Sequence, residues 1–212
     1  VVGGELTISG GAVTGNGVFN GHDDDGAGIY VNSGTLNLSG EGYVTNNSKR
    51  CDCTDCPIDT NNTHGGGGIA LANGSKMEMT GGYVTGNFSS LAGGGIYAGY
   101  YDGPGGVTFT MSGGLRIGGG NNGGTKGVIR TDGTVYITNN QTLTKDDWGG
   151  GGIFVQQGGL LSVMDALITN NSAGGFGGGV GACPTGETLI VNKDGAAIYG
   201  NSAEGKQMSA GG

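Results

Sequence analysis

Three cysteines fall within six residues, in Cys51-Asp52-Cys53-Thr54-Asp55-Cys56, and a fourth, Cys183, stands alone. Thiols at this spacing allow three readings: a metal site, disulfides or free thiols. A Cys-x-x-Cys pair can hold Zn²⁺, but no second pair follows, and His64 is a distant fourth ligand. An even cysteine count in a Gly- and Asn-rich chain favours disulfides instead, with Cys51–Cys56 the easiest local closure and the pairing of Cys51, Cys53, Cys56 and Cys183 left open. Two acidic groups, Asp23-Asp24-Asp25 and Asp146-Asp147, lack the Asp-x-Asp-x-Asp-Gly alternation of a calcium loop and read as solvated corners. His22 and His64 have no Ser or Cys nucleophile at an evident neighbouring position. The expectation is therefore a chain without catalytic, cofactor or metal residues.

What must position these groups is a repeat. Gly26-Ala27-Gly28-Ile29, Gly66-Gly67-Gly68-Ile69, Gly93-Gly94-Gly95-Ile96, Gly150-Gly151-Gly152-Ile153 and Gly177-Gly178-Gly179-Val180 each open a similar block, the closest 27 residues apart (Ile69 to Ile96). Each tetrad leads into an alternating segment such as Met77-Glu78-Met79-Thr80 and then a shorter one such as Val84-Thr85-Gly86-Asn87. Self-similarity at this period predicts a solenoid of stacked coils. The period-2 alternation makes its segments strands, and the glycine density excludes helices. In the clearest coil Ile69, Leu71, Met77, Met79 and Val84 point inward, while Ala70, Glu78 and Thr85 are expected to face water. The same register assigns Ile29, Val31, Leu36, Leu38 and Val44, then Ile153, Val155, Leu161, Val163 and Ile168, to the core. Two acidic groups four coils apart cannot share one scissile bond, which removes the paired carboxylates of a polysaccharide-cleaving solenoid.

Four outward or corner columns recur. Asn16, Asn47, Asn87, Asn140, Asn171 and Asn201 each stand three residues after the third segment's aliphatic, so stacking predicts an amide ladder. Tyr43, Tyr83 and Tyr136 share one position; Tyr30, Tyr97 and Phe154 share another. Both sets are expected as exposed aromatic columns, stacked on one another or offered to sugar faces. Thr14, Thr45, Thr85, Thr138 and Thr169 form a threonine column, but an ice-binding face would need a second one, and the neighbouring positions carry Tyr and Leu. Of seven Asn-x-Ser/Thr sequons, those at Asn87 and Asn140 fall in the ladder; Asn61 and Asn73 are the glycosylation candidates.

The small tetrad and the aliphatic-x-x-Asn motif resemble the polymorphic outer-membrane protein repeat, with its Gly-Gly-Ala-(Ile/Leu/Val) and Phe-x-x-Asn signatures. Gly28, Gly68, Gly95, Gly152 and Gly179 stand where that repeat has Ala, and Val13, Val44, Val84, Ile137, Ile168 and Ile198 where it has Phe. The resemblance implies a right-handed parallel β-helix of the kind displayed on cell surfaces as an adhesin or autotransporter passenger.

The expected architecture is thus all-β: one domain, 1–212, a right-handed parallel β-helix of three short sheets and about seven coils. At about 4.8 Å per coil the rod would be about 35 Å long. Two places break the period: residues 48–64, a Cys-containing insertion, and the irregular residues 118–132. A net charge of −8 argues against nucleic acid as a partner, and no apolar run is long enough to span a membrane. The expected setting is extracellular or at the cell surface, with a structural or adhesive role; the alternative is a carbohydrate-binding or carbohydrate-cleaving β-helix. The chain reads as an excised segment without polar caps, so its expected partner is itself, in head-to-tail or lateral assembly, with glycans or a host surface as further partners.

Overall fold

The computed structural model describes residues 1–19, 26–50, 65–72, 75–90, 92–98, 115–117, 127–131, 135–143, 149–155, 160–163, 166–182, 187–190 and 197–204. All regular structure among them is β, in three sheets that run the length of a parallel β-helix. The first sheet stacks Ile29–Asn32, Ile69–Ala72, Ile96–Ala98, Ile153–Val155 and Val180–Ala182, always parallel and aliphatic on aliphatic: Ile29 on Ile69, Ile69 on Ile96, Ile96 on Ile153, Ile153 on Val180. The third stacks Gly17–Phe19, Ser48–Arg50, Phe88–Ser89, Gln141–Thr142, Ser172–Ala173 and Ser202–Ala203, and so counts six rungs among the described residues.

The second sheet forks. In the first two rungs one long strand, Glu5–Thr14 and then Thr35–Thr45, covers both of the segments that alternation had separated. From the third rung on they part into two branches. One carries Lys76–Met79, Gly127–Thr131, Leu160–Val163 and Glu187–Ile190; the other Tyr83–Thr85, Val135–Thr138, Ala166–Thr169 and Ala197–Tyr199. Link length alone does not set the fork, since Ile8 to Ala12 in the unforked first rung is as short as Met79 to Tyr83. Leu38 to Tyr43 has one residue more than Met79 to Tyr83. The longer link is absorbed as a bulge opposite Ser9, with Gly40 at φ 54°, whereas the shorter one turns sharply at Gly82, φ 91°. Gly127–Thr131, inside the segment expected to be irregular, occupies the regular second-sheet position, with Ile129 on Met77. It also takes Leu115–Ile117 as an antiparallel partner.

Three sheets were expected, but one is drawn from different residues. The third sheet follows the asparagine column, where Ser, Lys, Phe, Gln and Thr give no apolar alternation to read. Its inward positions are polar or small: Lys49, Ser89, Thr142 and Ala173 are all buried and in register. The first and second sheets supply the apolar core. Ile29, Val31, Leu36, Leu38, Val44, Ile69, Leu71, Met77, Met79, Val84, Ile153, Val155 and Ile168 are buried as the alternation requires. Leu161 and Val163 lie on the strand Leu160–Val163.

The tetrads are glycine for steric reasons. Their first described positions, Gly26, Gly66, Gly93, Gly150 and Gly177, all have φ between 59° and 82°, a left-handed corner costly for other residues. Their third positions have no room: a Cβ on Gly95 would lie 2.7 Å from the Gly152 carbonyl oxygen and 2.9 Å from the Asn140 amide carbon. Gly10 has an ordinary φ and nothing within 4 Å of a built Cβ. Gly95→Ala should therefore lower stability by about 1–3 kcal/mol, in the range of overpacked core sites, while Gly10→Ala stays within about 0.5 kcal/mol. Urea unfolding followed by circular dichroism measures both; equal midpoints would refute the steric assignment.

Candidate functional site

The recurring polar residues converge on one corner, just after the second sheet. There Gly15, Asn46, Gly86, Asn139, Asn170 and Gly200 stack with φ between 54° and 70°. Glycine and asparagine alternate at this position because they tolerate the left-handed region best. That turn aims the next residue inward, and the next residue is the asparagine of the column. Asn47, Asn87, Asn140 and Asn171 are at most 1% exposed.

The amides form a continuous ladder. In each of the first five rungs the backbone N–H and the Nδ2–H both donate to the Oδ1 of the following rung's Asn, at 2.8–3.1 Å, from Asn16 through to Asn201. From Asn47 on, the second Nδ2–H turns back to a carbonyl of the preceding rung (Val13, Val44, Val84, Ile137 and Ile168 in turn) at 2.9–3.0 Å. Each inner amide thus uses both donors and both lone pairs. No other side chain fits. Aspartate lacks the N–H groups and would stack like charges, and glutamine is one methylene too long. The tetrad completes the enclosure, since Gly28, Gly68, Gly95, Gly152 and Gly179 lie against the amides of Asn47, Asn87, Asn140, Asn171 and Asn201. The sequons at Asn87 and Asn140 are buried in this ladder, so their side-chain nitrogens face no solvent.

The two aromatic columns have different fates. Tyr43, Tyr83 and Tyr136 are half-buried on the outer face of the second sheet, with ring centroids 4.4 and 4.8 Å apart and planes within 6°. The other column was expected to be exposed, and the structure corrects this. Tyr97 and Phe154 are 1% and 0% exposed, stacked at 6.0 Å, and packed with Ala92 and Phe176. Tyr30 is half-buried. Ala70, expected in water, is 1% exposed. The cause is the tetrad corner, which folds back over the outer face of the first sheet: a Cβ on Gly65 would strike the Tyr97 ring at 2.3 Å, and one on Gly66 would meet Ala70 at 2.9 Å. A small second core forms there, and only glycine backbone is thin enough to cover it.

Of the threonine column, Thr85 and Thr138 share a hydroxyl–hydroxyl bond of 3.0 Å, and Thr169 is buried with its hydroxyl unpartnered among the described residues. The Thr142 hydroxyl in the third sheet is in the same condition. Alternation could not reveal the polar inward column Lys49, Ser89 and Thr142, because its signal is apolar residues at period 2. The register of residues two after each ladder Asn could have found it. Cys51, Cys53, Cys56, Cys183, Asn61, Asn73, His22, His64 and both Asp groups lie outside the described residues. Among the described residues no helix is long and apolar enough to cross a membrane, and no three His, Cys, Asp or Glu side chains group as metal ligands would. Comparison of the chain with family models, with curated proteins and with solved structures found no match.

Two outcomes test this geometry. Asn87→Leu keeps the side chain's branched outline, with bulkier methyls, but leaves the two Asn47 N–H donors without their acceptor and takes one donor each from the Val44 carbonyl and from the Asn140 Oδ1, which keeps only the Asn87 backbone N–H. Unpaired buried groups cost about 1–3 kcal/mol each, so the substitution should lose on the order of 4 kcal/mol or unfold the rod, while the exposed, left-handed Asn46→Gly stays near parent. Equal urea midpoints for the two variants would dismiss the ladder as a stability element. The Tyr83 phenol is held above the usual tyrosine value near 10, first by desolvation and then by Tyr43, through charge and a hydrogen bond, and by Glu41. The native state therefore keeps this proton when the unfolded chain has lost it, so stability should fall as pH rises past about 10. Stability measured against pH should decline less steeply in Tyr83→Phe, and an unchanged slope would contradict the assignment.

Proposed function

We propose that this chain is a non-catalytic structural or adhesive rod, displayed at a cell surface or built into an extracellular fibre. The observation that carries the reading is the use made of the recurring polar groups. The Asn column joins rung to rung, the tetrad glycines wrap the amides, and the Tyr43, Tyr83 and Tyr136 rings stack on one another. The repeated residues thus serve the length and regularity of the stack. Parallel in-register pairing is head-to-tail by construction and extends in either direction, as a fibre or a long adhesin stalk requires. The resemblance of the tetrad and aliphatic-x-x-Asn motifs to the polymorphic outer-membrane protein repeat supports the surface setting. The net charge of −8 fits contact with neutral glycans better than contact with polyanions.

A glycan array run beside a reducing-sugar assay on acidic polysaccharides tests the proposal. The expected outcome is no release of reducing ends. Glycan binding would select the adhesive role, and its absence, together with rods or filaments by electron microscopy, the structural one. Sustained release of reducing ends by the purified chain would overturn the reading in favour of a polysaccharide-cleaving β-helix.

A further inference from the structure

The Tyr43–Tyr83–Tyr136 column is a chemical arrangement as well as a packing one. Three phenols from successive rungs stand in register, with centroids 4.4 and 4.8 Å apart and planes within 6° of parallel. The strands beneath hold this geometry, since Val44 sits on Val84 and Val84 on Ile137, all fully buried. The rings themselves are half-buried, so a small oxidant reaches their outer edges. Stacked phenols held at van der Waals distance in the native state meet the proximity requirement for radical coupling without a diffusional encounter.

The geometry points to a site of oxidative tyrosine cross-linking, in which Tyr83 is joined to Tyr43 or Tyr136 and adjacent rungs are stapled covalently. The oxidant is a peroxide acting through a one-electron peroxidase. Each of two phenols gives up one electron and its hydroxyl proton, leaving two phenoxyl radicals. Their ortho carbons, Cε on each ring, form one C–C bond as one ring swings outward about its Cβ on the solvent side. Each ring then moves its displaced ortho hydrogen to oxygen, restoring both phenols. The two electrons and two protons removed reduce one hydrogen peroxide to two waters. The product ties residues 43 and 83, or 83 and 136, across one rung step and closes a long loop, which lowers the entropy of the unfolded chain. This inference does not depend on the rod being adhesive or purely structural.

The test treats the folded protein with hydrogen peroxide and a haem peroxidase at several protein concentrations. Dityrosine fluorescence is read on the monomer fraction, and cross-linked peptides are mapped by mass spectrometry. The expected result is an intramolecular link, with a yield independent of protein concentration, in peptides joining Tyr83 to Tyr43 or Tyr136, and its loss in denaturant. Tyr83→Phe keeps a ring in the stack and leaves the two remaining phenols two rungs apart, so it should fold as the parent does and lose the intramolecular signal. Tyr199, exposed at 55%, is the control for contacts between molecules, and Tyr199→Phe should leave the intramolecular link unchanged. Coupling only between molecules, linked peptides that omit Tyr83, or no linked peptides at all would overturn the proposal. The peptide map of the unsubstituted protein decides the matter even if Tyr83→Phe were to unfold.

Discussion

The asparagine ladder is the constraint from which the rest of the coil follows. An amide carbonyl that must accept two N–H groups from the rung before, while its own N–H groups reach both ways, can be satisfied only if successive rungs sit one strand spacing apart and in register. Buried polar groups that miss their partners cost more than a made hydrogen bond returns, so the ladder acts chiefly by penalising every other register. Around it the chain has little freedom. The residue before each Asn is left-handed, so it is Gly or Asn. The third tetrad residue lies against the amide, so it is Gly. The backbone N–H after each inner Asn pairs with the carbonyl of the Asn one rung back, as Phe88 does with Asn47 at 2.9 Å. Composition that looks like disorder is here the requirement of one corner.

Glycine serves a second purpose on the opposite side of the first sheet. A solenoid rung buries few apolar side chains, and 34% hydrophobic content is thin for a core. Folding the tetrad back over the outer face adds a second buried layer around Tyr97 and Phe154 without lengthening the rung. Any larger residue at Gly65 would collide with Tyr97, so the aromatic rings and the glycines at that corner depend on each other.

The fold was legible because its two periods, the repeat and the alternation of two, are both written in apolar residues. Ile69, Leu71, Met77, Met79 and Val84 could be placed from that pattern alone, and the Asn column from its fixed offset to the aliphatic before it. What stayed hidden has physical reasons. The third sheet has polar inward residues such as Lys49 and Ser89, which alternate with nothing apolar. The burial of Ala70, Tyr97 and Phe154 depends on a different segment, the glycine corner, whose path alternation does not encode. The fork of the second sheet is not written in link length, since Ile8 to Ala12 of the unforked first rung is as short as Met79 to Tyr83. It goes with the turn at Gly82, and the sequence shows only that this residue, like Gly11 and Gly40, is glycine.

The tyrosine column shows how stacking changes what an aromatic surface can do. A ring that is to hold a sugar must offer a face, because the contact is made by ring hydrogens on the π-surface. In the three-ring stack the Tyr83 faces are taken by its neighbours. Tyr136 has Leu167 in register beyond the stack by way of Ala166–Thr169, and Tyr43 looks toward Ala12 of the first rung. The inner ring, Tyr83, therefore presents its edge and hydroxyl. Edges cannot grip a sugar as faces do, but they are where phenol carbons ortho to oxygen meet solvent and one another. The same in-register stacking that takes up the Tyr83 faces sets the three phenols against one another, and both follow from the rung spacing set at the amide corner.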